Sequence, residues 1–160
     1  MIFAAGLREL VRRASPTHEW LGTLSFGAMV VWVGVTLVAN GLEGGAALDA
    51  RGGDGDPSVA RALTMGYLLI YNSAIAFVMT AFYMGTAACA TRATGVLPRW
   101  TGWLAWVSVF LCVLAIPTMF VGPVDPAGFY NAGGWGAALI ANVPPLLWFL
   151  AAGIVLVRRS

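Results

Sequence analysis

Few side chains in this sequence of 160 residues can do chemistry, and their placement limits what chemistry is open to them. The single histidine, His18, stands beside Glu19. It cannot make a bis-histidine haem site alone, and a Ser/His/Asp constellation would have to use it, with Glu19 a neighbour in sequence only. His18 therefore reads as an interfacial polar residue, with a ligand or pH-sensing role as the sharper alternative. Cys89 lies three residues before Arg92 and Cys112 thirteen after Arg99. At 1.5 Å per residue their depths differ by about 15 Å, out of reach of a disulfide within one chain. Neither thiol has an acid or histidine at its own depth, so both read as small buried hydrophobes rather than nucleophiles. No zinc-ligand spacing, phosphate-binding glycine loop or hydrolase triad occurs in the sequence. The expectation is no metal, no cofactor and a leaning away from enzymatic function.

The remaining polar candidates matter only once the elements carrying them are placed. Hydrophobic residues make up 59% of the chain and charged ones 10%, with a mean hydropathy of +0.81. So little charge cannot cover an aqueous surface, which excludes disordered, nucleic-acid-binding and secreted disulfide-rich classes. Between the charge clusters lie four uncharged stretches: Trp20 to Leu42, Ala62 to Thr91, Trp100 to Val124 and Pro126 to Val157. A helix needs about 20 apolar residues to cross a bilayer core of about 30 Å, so each can cross once and none comfortably twice. Barrel strands would alternate apolar and polar residues, whereas Met29 to Val38 is almost solidly apolar. The fold class is all-α: a polytopic membrane protein, one transmembrane domain over 1–160, with spans at about 20–42, 62–91, 100–122 and 133–157.

Lysine is absent, and the nine arginines are unevenly placed. Arg8, Arg12, Arg13, Arg92, Arg99, Arg158 and Arg159 fall on one side and only Arg51 and Arg61 on the other, for net charges of +5 and −3. The positive-inside rule puts both termini in the cytoplasm and the loops with Glu43, Asp49, Asp54, Asp56 and Asp125 outside, as in a multi-pass plasma-membrane protein. No Asp, Glu, Lys, Arg or His lies within a span, which argues against proton-coupled transporters, pumps and voltage sensors.

Ile2 to Leu7 is too short for a signal-peptide core, and its positive residues follow rather than precede it. In helical register Phe3, Leu7, Leu10 and Ala14 share a face, which suits a short amphipathic cytoplasmic helix over 1–15 lying on anionic lipid, or the tail of a further helix. Ser15-Pro16 and Asp56-Pro57 are helix-opening signals, and Leu97-Pro98-Arg99-Trp100 opens the third span. A second helix from Pro57 to about Ala93 is long enough to stand above the membrane. With the first helix continuing to Asp49 and Gly52-Gly53-Asp54-Gly55 as a turn, an outer helical hairpin is expected, weakened by Gly41, Gly44 and Gly45.

Counted from the cytoplasmic anchors, one group of polar and helix-breaking residues shares a depth. Asn72 lies 20 residues from Arg92, Asn142 16 from Arg158, Thr36 and Asn40 17 and 21 from Glu19, and Pro117 and Thr118 18 and 19 from Arg99. All fall about 24 to 32 Å from the inner anchors. Pro144 and Pro145 add to this layer by freeing the carbonyls of Ile140 and Ala141. Two readings are open: the polar groups bond across helices and repair the proline break, or Asn72, Asn142 and Tyr71 line a small polar cavity, open to the outer face, for an uncharged or lipidic ligand. Ala81, Gly85 and Cys89, and Gly133, Ala137 and Ala141, recur every four positions and predict helix contact faces. Trp100, Trp103 and Trp106 read as an aromatic belt at the interface.

The segments Arg-Glu-Leu-Val-Arg-Arg-Ala at 8–14, Asp-Pro-Ser-Val-Ala-Arg-Ala-Leu at 56–63 and Thr-Gly-Val-Leu-Pro-Arg-Trp-Thr-Gly-Trp-Leu at 94–104, with the closing Arg158-Arg159, carry a resemblance. Over most of its length the chain resembles a group of small actinobacterial membrane proteins of unknown function. The shared motifs mark boundaries and packing, so the resemblance implies no functional residue. Members of that group tend to carry one more hydrophobic helix before the 8–14 segment, where this chain has only Ile2 to Leu7, which leaves open an upstream start or a truncated chain. Two functions are expected from the sequence. One is a structural or accessory component that associates with a membrane-protein partner or a second copy through its small-residue faces or outer hairpin. The other is a binding or transport module for a lipid or neutral small molecule. In either case the bilayer is the surrounding medium, and nucleic acid is not a partner.

Overall fold

A computed structural model of the protein describes residues 1–51, 56–71, 74–121, 125 and 127–158. Among these every regular element is a helix: α1 (Ile2–Ala14), a 3-10 turn (Pro16–His18), α2 (Glu19–Arg51), α3 (Pro57–Tyr71), α4 (Ala74–Thr94), α5 (Arg99–Ala115) ending in a 3-10 turn (Ile116–Phe120), and α6 (Trp135–Val157). Four helical segments, Pro16–Arg51, Pro57–Thr94, Arg99–Phe120 and Trp135–Val157, are long and apolar enough to cross a membrane. The expected turn at Gly52 to Gly55 lies outside the described residues.

Boundary chemistry explains several ends. Asp56 opens α3: its Oδ1 accepts the Ser58 backbone N–H at 2.8 Å and the Ser58 hydroxyl at 2.7 Å. These bonds hold its carboxyl below the usual carboxylate range. Gly95 closes α4 with φ +66, where an L side chain would be strained, and its N–H returns to the Thr91 carbonyl at 3.0 Å. Pro98 then starts α5, its carbonyl accepting from both the amide and the hydroxyl of Thr101. Pro117 tightens the end of α5 into the 3-10 turn, where the Thr118 hydroxyl donates to the Ala115 carbonyl and the Tyr130 hydroxyl to that of Leu114. Ser15, in contrast, is not an amide cap. It is an extended link between α1 and the following turn, with its hydroxyl 2.8 Å from Nδ1 of His18.

Alanines fill much of the interior around a few large buried side chains such as Trp148, Phe77 and Met84, and many large apolar residues lie outside. Ala28, Ala87, Ala88, Ala105, Ala137, Ala141 and Ala152 are buried, while Phe110, Leu146 and Leu150 are each more than 60% exposed. Where lipid surrounds the helices, close backbone approach gains packing that a large side chain at the seam would forbid. The hairpin of α2 and α3 follows the same rule: a Cβ on Gly66 would come within 3.1 Å of Leu42, and one on Gly45 within 3.5 Å of Leu63. Gly41 and Gly44 meet nothing, so only Gly45 of that group serves a close approach.

The amphipathic face of α1 differs from expectation. Ala4, Leu7 and Val11 are buried, and Ala14 is exposed. This helix docks on the bundle, folded back along α2 so that Arg8 and Val11 lie over Gly22. Phe3 makes edge contacts with Trp148 and Phe149 of α6 at centroid distances of 5.7 and 5.4 Å. The hydrophobic stripe is thus spent on protein. The charged side is tied up locally: Glu9 accepts from Arg12 at 2.6 and 2.8 Å and from Arg13 at 2.7 Å, and Arg8 reaches Glu19 at 3.5 Å.

Hydrogen bonds from Arg12 and then Arg13 lower the Glu9 carboxyl to a pKa of about 2. The sign follows from linkage: these contacts stabilise fully above the unfolded carboxylate value of about 4.3, and are lost as pH falls from there through about 2. A carbon NMR titration of Glu9 is therefore expected to show a midpoint near 2. In the variant with Arg12 and Arg13 both changed to alanine the midpoint should return to about 4. A midpoint of about 4 in the unaltered protein would contradict this pairing.

Candidate functional site

A cavity of about 230 Å³ opens between α2, α3, α4 and α6. Its walls are Met29 and Trp32 from α2, Tyr71 from α3, Thr80, Tyr83 and Met84 from α4, and Asn142, Pro145, Leu146 and Phe149 from α6. The lining is mainly apolar, with polar atoms available from Tyr71, Thr80 and Asn142. At this volume, short of the about 300 to 1,000 Å³ of drug-sized pockets, it suits a segment of hydrocarbon chain or a small molecule.

Phe149 stacks on Tyr83 at 5.5 Å, and both rings also line the cavity. Trp148 meets the two of them edge-on at 5.4 and 6.1 Å. Because Phe3 packs on Trp148 and Phe149, the first turn of α1 backs one wall of the cavity from the outside. Trp148 is fully buried, and its indole N–H donates to the Thr101 carbonyl of α5 at 3.0 Å. One aromatic group therefore joins α1, α4, α5 and α6.

Of the residues singled out from sequence, the structure brings Tyr71, Asn142 and Pro145 to this cavity. Asn72 lies outside the described residues. Thr36 donates to the Trp32 carbonyl four residues back in its own helix at 2.9 Å, and Thr118 is buried with its bond to Ala115. Neither hydroxyl bridges two spanning helices. Asn40 is exposed. Pro117 sits in the turn closing α5, and Pro144 and Pro145 lie inside an α6 that continues past them.

Residues overlooked by sequence reasoning complete the site. The Ala141 carbonyl, freed by Pro145, accepts from the thiol of Cys112 on α5 at 3.4 Å. A cysteine read only as a small hydrophobe thus satisfies the proline break. Tyr83, Thr80, Trp32 and Phe149 of the cavity wall carried no signal of their own, since they converge only through the helix pairing. The small-residue faces predicted for helix contacts are occupied in part inside the chain: Gly85 faces Val109 of α5, and Ala137 and Ala141 pack with Cys112 and Ala115, whereas Gly133 lies before α6 with φ +74 and is not on its face.

Among the described residues no group of three or more His, Cys, Asp or Glu side chains could hold a metal ion. No family model matches this chain, and neither a curated protein nor a solved structure matches it.

Proposed function

We propose that this protein binds a lipid chain or a neutral small amphiphile from within the membrane, as a binding or transport module, using the cavity between α2, α3, α4 and α6. The observation that carries the reading is that Tyr71 and Asn142, from helices far apart in sequence, line one mainly apolar cavity together with Thr80. An apolar body with a few placed polar groups is the arrangement that orients a neutral ligand. The accessory reading rested on small-residue faces or the outer hairpin as docking surfaces. Gly85, Ala137 and Ala141 of the small-residue faces pack within the chain, which favours the cavity over docking through those residues. The arginine distribution supports a plasma-membrane orientation with both termini cytoplasmic.

Native mass spectrometry of the protein released from mild detergent tests this. A ligand of defined mass is expected at one per chain, and the double variant Tyr71→Phe with Asn142→Leu should lower its retention at least tenfold, about 1.4 kcal/mol, with thermal unfolding unchanged. Equal retention in both proteins, or no bound mass in the unaltered one, would overturn the proposal. A stoichiometric protein partner on crosslinking in native membranes would favour the accessory role instead.

A further inference from the structure

Toward the C-terminal end of α4, past the cavity residues Thr80, Tyr83 and Met84, lies a second feature with a separate set of lining residues. A shallow, open slot of about 580 Å³ is lined by Trp20 and Leu21 of α2, Cys89, Arg92 and Ala93 of α4, and Trp106 of α5. Arg92 is exposed yet held in place. Its stem passes Gly102, where an added Cβ would lie 3.6 Å from Arg92 Cγ, and its guanidinium carbon sits 5.4 Å from the centre of the Trp103 ring. Among the described residues the ion pairs all involve α1, and none involves Arg92. Among the described residues Arg92 is thus a permanent cation without an acidic partner, held beside an apolar slot.

We propose that this slot is a specific site for one anionic phospholipid, its phosphate on Arg92 and the first methylenes of an acyl chain lying over Cys89 between Trp20 and Trp106. The geometry is consistent along the membrane normal: from Arg92 to Cys89 on α4, and from Trp103 to Trp106 on α5, both elements move one turn from the arginine-rich end toward the middle of the bundle. A planar guanidinium takes a phosphodiester by paired charge-assisted bonds. A zwitterionic headgroup carries its own ammonium beside the phosphate, so it gains less from an unpaired arginine than a net-negative one. The apolar walls select a lipid over free phosphate, which would leave Trp20, Leu21 and Trp106 uncovered.

The test uses the full chain in nanodiscs of phosphatidylcholine and phosphatidylglycerol at equal amounts, released into native mass spectrometry. One phosphatidylglycerol is expected to persist per chain in preference to phosphatidylcholine, and Arg92→Gln should reduce that retention at least fivefold. Arg99→Gln removes the same charge from the same end but outside the slot, and should leave retention within twofold. Trp106→Ala keeps the cation and removes a wall, and should also lower retention. If Arg92→Gln does not fold, Trp103→Ala, which releases the guanidinium from its ring, is expected to show the same loss. No preference in the unaltered protein, or equal losses in the Arg92 and Arg99 variants, would overturn the site in favour of diffuse charge attraction. The Tyr71 and Asn142 double variant should keep its phosphatidylglycerol, which separates this site from the cavity.

Discussion

Replacing Trp148 with alanine is expected to destabilise the bundle by about 3 kcal/mol, the low end of the range for deleting a large buried aromatic. Trp148 has no exposed surface, packs against Phe3, Tyr83 and Phe149, and binds the Thr101 carbonyl. The low end applies because lipid, unlike water, already solvates apolar groups in the unfolded reference. The loss is then chiefly dispersion contact across the void and one hydrogen bond. Trp148→Phe separates the two: it keeps most of the ring contact and removes the N–H, and should cost about 1 kcal/mol. Denaturation by sodium dodecyl sulfate from bicelles, followed by far-UV circular dichroism, measures both. A loss below about 1 kcal/mol for the alanine variant would mean that the aromatic group does not join the helices as described.

The spans were legible in the sequence because charge and proline punctuate them. Arg92 and Arg99 bracket the turn between α4 and α5, Asp56-Pro57 opens α3, and each apolar run has the length a bilayer demands. The site was legible only in part. Asn142, one of the residues counted from the anchors, shares a cavity with Tyr71, but the lining is mainly apolar where a polar one was expected, and Thr36 and Thr118 spend their hydroxyls on carbonyls three or four residues back. In an apolar medium the nearest free lone pair of the same helix competes with any partner across the bundle, and spacing alone cannot decide between them. Cys112 shows the converse: nothing in its surroundings in sequence marks it as a donor, because its acceptor is 29 residues away and exists only through Pro145. For α1, the period of its apolar residues revealed a stripe but not whether lipid or protein would cover it. That depended on Gly22, a residue with no side chain to read.

Gly22 is therefore the position at which a single substitution should separate α1 from the rest. A Cβ there would lie 3.1 Å from the Arg8 Cα and 3.3 Å from the Val11 Cβ, and the first of these is backbone that cannot rotate away. Alanine would require a shift of a few tenths of an ångström, whereas the two methyl groups of valine have no space, an overpacking cost of about 1 to 3 kcal/mol concentrated on one contact. Gly22→Val is expected to loosen α1 and raise hydrogen exchange at Leu7 to Val11 by about ten- to a hundredfold, since each factor of ten corresponds to about 1.4 kcal/mol. Gly34→Val is the control, because a Cβ at Gly34 meets nothing within 4 Å and α1 should stay docked. Unchanged exchange at α1 in the Gly22 variant would show that the helix does not rest on this contact. The effect extends to the cavity. Once α1 leaves, Phe3 no longer supports Trp148 and Phe149, so ligand retention should fall in Gly22→Val though no residue lining the cavity has been altered.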